Sequence, residues 1–334
     1  MYHKIWRKSS NVDDFLWEKY FNVKFTGEIT KSCINCNISL GPSQYYLEEC
    51  NFLNGNDGLI NLTNISNALF LHNRCSFSNC TTTEFGYCIV YTGTNSSIVQ
   101  RKFCCANSKG FFSKTEVDRD SLDFFIESSL YDVGNEDIRG HVINAFSHNI
   151  IVSSTNFTSN KAERTPVGWF SPHLFPGNLT KFNYSTVVNN LGKDGMDPIL
   201  YIGFNSLIDS CNIINNSLPI SYHGIIYHDS ELLTVKSCSF INNTVHEDRC
   251  LIYGHDDEIT LNKCYIDNSI PKIFDGNPKI NIAPHNTTTL FTNRLSHIST
   301  GNCLADFTII KQTIDVDNKL PLIILSLVNS KKSS

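Results

Sequence analysis

Small and large apolar positions recur along this chain with a period of about 26 residues. Each copy reads Cys, Ser or Thr, then any residue, an apolar or aromatic residue, any residue, and one or two Asn. The clearest copies are Cys50-Asn51-Phe52-Leu53-Asn54, Cys211-Asn212-Ile213-Ile214-Asn215-Asn216 and Cys238-Ser239-Phe240-Ile241-Asn242-Asn243. With the first residue of the phrase as position 0, units begin at Cys50, Cys75, Phe103, Ser129, Thr155, Ser185, Cys211, Cys238, Cys264 and Thr289. Phe103 is the poorest match. Position +2 then carries Phe52, Phe77, Cys105, Tyr131, Phe157, Val187, Ile213, Phe240, Ile266 and Phe291. Asn occupies +4 or +5 in nine of the ten units, the unit at Ser129 being the exception.

Two further positions extend the pattern. Position −3 is apolar at Leu47, Ile126, Val152, Phe182, Ile208, Val235 and Leu261. Position +14 holds Ile89, Ile143, Trp169, Ile199, Ile225 and Ile252. Positions 0 and +2 keep the two-residue period of a strand, and −3 and 0 break it. Two short strands therefore meet at a corner near −2 and −1, where the residues are polar, as in Asp209-Ser210 and Lys236-Ser237. A third strand falls near +13 to +16, as in Gly224-Ile225-Ile226-Tyr227 and Cys250-Leu251-Ile252-Tyr253.

A triangular coil of three short strands cannot bury its own inner face, so coils must stack. Stacked coils pair as parallel strands ~4.7–4.9 Å apart. Same-sheet parallel connections are right-handed almost without exception. The expected fold is all-β: a right-handed parallel β-helix solenoid of about ten three-strand coils. The Asn after the second strand suits a turn with left-handed backbone. Stacking should also set those amides above one another as a hydrogen-bonded ladder. On that reading Asn242→Ala should cost more stability than Asn277→Ala.

Residues 1–30 fall outside the repeat. Their aromatic stretch (Phe15, Leu16, Trp17, Tyr20, Phe21, Phe25) reads as a cap over the open end of the solenoid at residues 31–300. Residues 301–334 read as a C-terminal cap or tail. No 7–15-residue apolar stretch of a signal peptide follows Met1. The longest apolar run, Leu320 to Val328, is far short of the ~20 residues of a spanning helix.

Composition narrows the class. The 334 residues are 41% hydrophobic and 18% charged, enough for a long core and too little charge for a disordered chain. The net charge of −5 comes without a basic run or stripe, which argues against nucleic acid as a partner. Thirteen cysteines is a high and odd number. Those at position 0 (Cys50, Cys75, Cys211, Cys238 and Cys264) read as small buried core residues with free thiols. Sequons stand at Asn37, Asn61, Asn64, Asn79, Asn95, Asn156, Asn178, Asn183, Asn215, Asn242 and Asn286, which permits secretion.

These repeats resemble the right-handed parallel β-helices of the pectin-lyase-like superfamily. More narrowly, Phe157-Thr158-Ser159-Asn160 and Phe240-Ile241-Asn242-Asn243 match the F-x-x-N phrase of polymorphic outer membrane protein-like surface repeats, known from chlamydiae, with similar surface families in trichomonad protists. The companion G-G-A-I/L/V phrase is replaced by forms such as Gly224-Ile225-Ile226-Tyr227. The resemblance covers roughly residues 47–300. It implies a non-enzymatic, adhesin-like protein at the cell surface or secreted, of a kind usually longer and membrane-anchored, with an extracellular glycan or a host or cell-surface protein as partner.

Chemistry-bearing clusters are sparse. His228 and His255, both at +17, should stack on consecutive coils beside Asp229, Asp256 and Asp257, which suggests a metal site or, more simply, a polar corner. Loop acids gather at Glu84, Glu163, Asp194, Asp197, Glu247 and Asp248. A polysaccharide hydrolase of this fold would need such carboxylates aligned on adjacent coils, and a lyase would add calcium-binding acids and a basic residue. No Arg or Lys is evident on a neighbouring outward strand to complete either set. Cys33-Ile34-Asn35-Cys36 has metal or redox spacing and lacks a second pair. The sequence therefore assigns no catalytic, cofactor or metal residues, and a carbohydrate-active enzyme stands as the alternative to a binding rod.

Overall fold

Every position-0 residue must turn the chain through a corner while packing inside it, and the structure shows how this is done. The computed structural model describes residues 14–297 apart from 36–37, 39–42, 84–85, 119–120, 138, 173–177, 194–196, 220–222, 230, 248, 256–257, 268–269, 271, 277, 283–288 and 296. It is a parallel β-solenoid of about eight turns. Among the described residues its strands form three sheets of eleven, nine and thirteen strands, and all the strand pairs are parallel.

The residue at −1 takes left-handed backbone in coil after coil: Glu49, Arg74, Lys102, Ser154, Tyr184, Ser210, Ser237 and Lys263 all have φ between 49° and 56°. Such a φ costs roughly 1–2 kcal/mol for a side chain with a Cβ. Two hydrogen bonds offset it. The −1 amide donates to the next coil, as Ser210 does to the carbonyl of Lys236 at 2.9 Å. The position-0 side chain donates to the carbonyl two residues earlier: Cys211 to Asp209 at 3.3 Å, Cys238 to Lys236 at 3.1 Å and Ser185 to Asn183 at 2.9 Å. Position 0 is thus selected for small size together with a donor hydrogen, which Cys, Ser and Thr share. The five cysteines expected as free core thiols are free and buried.

The Asn phrase carries two jobs on two residues. Position +4 supplies a second left-handed corner at Asn54, Asn79, Asn107, Ser159, Asn189, Asn215 and Asn242. Position +5 supplies the ladder. The Asn190 and Asn216 side chains donate to the Asn216 and Asn243 carbonyl oxygens, both at 2.9 Å, and each also donates to a backbone carbonyl of the coil below. Asn160 receives no amide from a neighbour's side chain below, and its oxygen accepts from the Val133 amide at 3.0 Å. The ladder residue of the eighth unit is therefore Asn243, with Asn242 at the corner, and Asn277 lies outside the described residues. Nearer the N-terminus, Cys80 and Ser108 stand in the ladder position, with the Ser108 hydroxyl accepting the Cys80 amide at 3.2 Å.

Position +2 is the core. Phe52, Phe77, Cys105, Phe157, Val187, Ile213 and Phe240 are buried. Two placements differ from the sequence pattern. In the fourth unit Leu130, rather than Tyr131, pairs with Cys105 and Phe157 and is buried, so position 0 is Ser128 and position −3 is Phe125. The Ser128-Ser129 doublet leaves both registers open in sequence. The unit placed at Thr289 is not a coil. Residues 289–295 and 297 run back across the outer face of the thirteen-stranded sheet: Asn293 bonds Asn212 in both directions, Ser239 donates to the Phe291 carbonyl, and His297 lies 2.6 Å from the Thr186 hydroxyl.

The N-terminal helix α1 (Asp14–Phe21) is also a flank rather than an end cover. Leu16 and Trp17 pack on Tyr46, Leu71 and Val99, the outward residues of the eleven-stranded sheet, with Tyr20, Phe21, Phe25 and Phe124 around them. Residues Glu28–Lys31 already pair in that sheet, close to the expected start of the solenoid.

One stretch of the interior is polar. His72 and Gln100 occupy position −3, and Asp123 stands in the inward row between Ile98 and Ile150. His72 Nε2 lies 3.2 Å from Gln100 Oε1, Gln100 donates to Ser113 at 3.2 Å, and Thr115 donates to Asp123. Burial raises the Asp123 carboxyl to about 7 and lowers His72 to about 4.

Two predictions follow from this interior. Removing Asn216 leaves partners on both sides unpaired, so Asn216→Ala should lose about 3 kcal/mol in urea unfolding, and Asn56→Ala, in an exposed turn, less than about 0.5 kcal/mol. Between about pH 4 and pH 7 the folded Asp123 binds a proton that the unfolded chain has released, so its contribution falls as pH rises through that window and is flat above it. Asp123→Asn should gain stability relative to wild type from pH 5 to pH 8, by about 1 kcal/mol or more; a pH-independent difference would contradict a carboxyl that is neutral in the fold.

Candidate functional site

Of the three outer faces, two are partly covered by the chain itself. α1 lies on the N-terminal strands of the eleven-stranded sheet, and residues 289–295 and 297 cross the thirteen-stranded sheet. The outer face of the nine-stranded sheet carries neither. Register sets the row Asn61, Val90, Lys114, Asn144, Trp169, Tyr201, Tyr227, Tyr253, Asp275 along it. Aromatic residues fill four consecutive places. Trp169 stacks on Tyr201 with centroids 3.7 Å apart and planes 5° from parallel. Tyr227 and Tyr253 follow at 5.1 and 5.4 Å, tilted by 49° and 41°. His223 packs against both of these tyrosines.

The row spans three strand spacings, roughly 14 Å. Trp169, Tyr227 and Tyr253 are partly exposed and Tyr201 is buried between its neighbours. The Tyr201 hydroxyl donates to Asp229 at 3.1 Å, and burial together with that carboxylate raises its pKa. Position +14 had grouped Trp169 with inward isoleucines. Phe170 takes the inward place in that coil, so Trp169 faces outward. The signal that could have found the row was the Tyr ending each third-strand phrase, at Tyr201, Tyr227 and Tyr253.

At its N-terminal end the row meets a polar corner. His141 is buried, pairs across the coils with Thr165 and lies 5.1 Å from the Trp169 ring. Burial, with Arg164 nearby, lowers its pKa to about 3. Arg164 Nε lies 3.4 Å from Asp197 Oδ2. Further along, Asp57, Asn61, Thr83, Tyr87, Val90 and Lys114 line a shallow cleft of about 390 Å³.

The sequence candidates separate under this geometry. His228 and His255 do not stack. His228 is opposite Gly254, points inward, and contacts the Phe204 carbonyl at 2.6 Å; His255 is opposite Asp229 and exposed. A one-residue slip in register puts their rings on opposite faces of the sheet. No cluster able to hold a metal ion is found among the described residues. Cys33 and Cys104 are disulfide-bonded, so the Cys33 sulfur is no free thiolate ligand. Asp197 does have a basic neighbour, Arg164 one coil earlier, which the strand pattern had hidden because both sit in loops. Glu163 is partly buried and Glu247 exposed. Glu84, Asp194, Asp248, Asp256 and Asp257 lie outside the described residues. Among the described residues no helix is long and apolar enough to cross a membrane.

No protein-family model, curated protein or solved structure matches this chain.

The split between the two histidines is directly testable. His228→Ala removes a buried hydrogen-bonding ring and should lower the melting temperature by several degrees, whereas His255→Ala should shift it by less than about one degree. Added zinc should not raise the melting temperature of the wild type.

Proposed function

We propose that this protein is a non-enzymatic binding rod of the cell surface or secreted space whose ligand is a glycan held along the Trp169–Tyr253 row. The observation that carries the reading is the unbroken run of four outward aromatic side chains on the nine-stranded sheet, whose outer face carries neither helix α1 nor the strap among the described residues. Such a row offers apolar ring surface and phenol hydroxyls at a regular spacing, which suits an extended chain of sugar rings. Two features support the compartment. Disulfides at Cys33 and Cys104 suit an oxidising environment, and the F-x-x-N phrases resemble adhesin-like surface repeats. The nine free cysteines among the described residues are buried and so protected from exchange.

The alternative, a carbohydrate-active enzyme, draws support from the Arg164–Asp197 contact alone. Hydrolysis needs a second carboxylate poised across the bond, and a carboxylate matched by an arginine is poorly suited to protonating a leaving group. Loss of polysaccharide turnover in Asp197→Asn would establish that reading.

Binding to a panel of immobilised polysaccharides tests the rod. The double variant Tyr227→Ala/Tyr253→Ala should bind at least tenfold more weakly than wild type. Thr234→Ala, on the outer face of the eleven-stranded sheet, should bind unchanged. Equal binding by all three proteins would remove the row from any role.

A further inference from the structure

Eleven sequons run along the chain, and nine of them fall on described residues; Asn37 and Asn286 lie outside these. The fold sorts the nine by position. Asn61, Asn64, Asn79 and Asn95, all within the first coils, are exposed. Asn156 and Asn178 are buried, at 0% and 1% exposure, and Asn183, Asn215 and Asn242 are half-buried. Asn156 is also engaged. It lies between Ser129 and Thr186 of the adjoining coils, and its side-chain oxygen accepts the hydroxyl of Thr158, the third residue of its own sequon, at 2.7 Å.

Local geometry presents the exposed four to solvent. Asn61 opens the outward row of the nine-stranded sheet, four strand spacings, roughly 19 Å, before Trp169. Asn64 stands where the pairing register of the same strand shifts between Leu62 and Ile65. Asn79 is a +4 corner, and Asn95 turns the chain between the strands Tyr87–Thr94 and Ser97–Arg101. Asn64, Asn79 and Asn95 have φ of 55°, 52° and 49°, so all three sit at left-handed turns. The Asn95 side-chain nitrogen donates to Asn67 at 2.5 Å and has a second hydrogen to spare.

We propose that Asn61, Asn64, Asn79 and Asn95 are N-glycosylation sites, which puts the protein's own sugars on its N-terminal coils and leaves the Trp169–Tyr253 row bare. This rests on the secreted or cell-surface reading and is independent of what the row binds. The donor is an oligosaccharide carried on a lipid pyrophosphate. The Asn side-chain nitrogen bonds the anomeric carbon, the bond from that carbon to the pyrophosphate oxygen breaks, and the amide gives up one proton as the lipid pyrophosphate leaves. Thr63, Ser66, Thr81 and Ser97 supply the sequon hydroxyls. At Asn156 or Asn178 the same addition would set a bulky polar group where coils must stack, so chains modified there cannot close and drop out of the folded pool.

Secretion of the full chain from a eukaryotic host behind a cleavable leader tests it, with site occupancy read by peptide mass spectrometry after enzymatic deglycosylation in heavy-oxygen water. The folded, secreted protein should carry glycan on Asn79 and on at least one of Asn61, Asn64 and Asn95, and none on Asn156 or Asn178. Thr81→Ala keeps Asn79 and removes its sequon. It should lose one step of the glycosidase-sensitive gel shift and, once deglycosylated, melt within about two degrees of the deglycosylated wild type. Anything less on the four exposed asparagines, or glycan on Asn156 or Asn178 in protein with native melting, would overturn the assignment. Polysaccharide binding should survive deglycosylation. Occupied sites without binding of any polysaccharide would leave the sites standing and remove the glycan reading of the row; bare sites with binding lost in Tyr227→Ala/Tyr253→Ala would do the reverse.

Discussion

Parallel stacking requires that the edge of each coil be met by the coil above, in register, at every one of its corners. The corners are where this is hardest, since the chain must enter left-handed backbone at residues such as Tyr184 and Lys263 that gain nothing from it. The position-0 hydroxyl or thiol and the −1 amide hold that conformation by bonding across and along the stack. Sheets, core and outer rows all inherit their register from these corners. A change at one coil is therefore felt by its neighbours, as expected of a quasi-one-dimensional solenoid.

How much of this the chain declares in advance depends on local ambiguity. Units such as Cys211 and Cys238 have one small donor residue followed by one apolar residue, and their strands, core side chains and corners fall where the pattern puts them. The fourth unit has two adjacent serines, and nothing local chooses between Leu130 and Tyr131; only pairing with Cys105 and Phe157 decides. Thr289-Phe291 imitates a coil in composition, but its hydrogen bonds run sideways onto Asn212 and Ser239. The stacking of His228 and His255 failed for the related reason that third-strand register follows Tyr227 and Tyr253, not the distance from position 0.

The candidate site was less legible still. Asp197 and Arg164 come from loops of different length, and His141, Asn144 and Trp169 meet only because two successive coils lie atop one another. Conversely, the polar belt of His72, Gln100 and Asp123 reads in sequence as an interruption of the apolar pattern, yet it is sealed inside the solenoid. The inward rows are fully engaged in holding the coils, and helix α1 and the strap cover parts of two of the three outer faces.

Disulfide trapping on the open part of the eleven-stranded sheet measures the stacking itself. Thr234 and Thr260 are outward register partners on adjacent coils, within the Cα separation a disulfide tolerates at one strand spacing. Under mild oxidation, Thr234→Cys/Thr260→Cys should cross-link fully, and Thr234→Cys/Asn262→Cys, two residues out of register, should not. Efficient cross-linking of the second pair and not the first would contradict the parallel, in-register solenoid on which the candidate site depends.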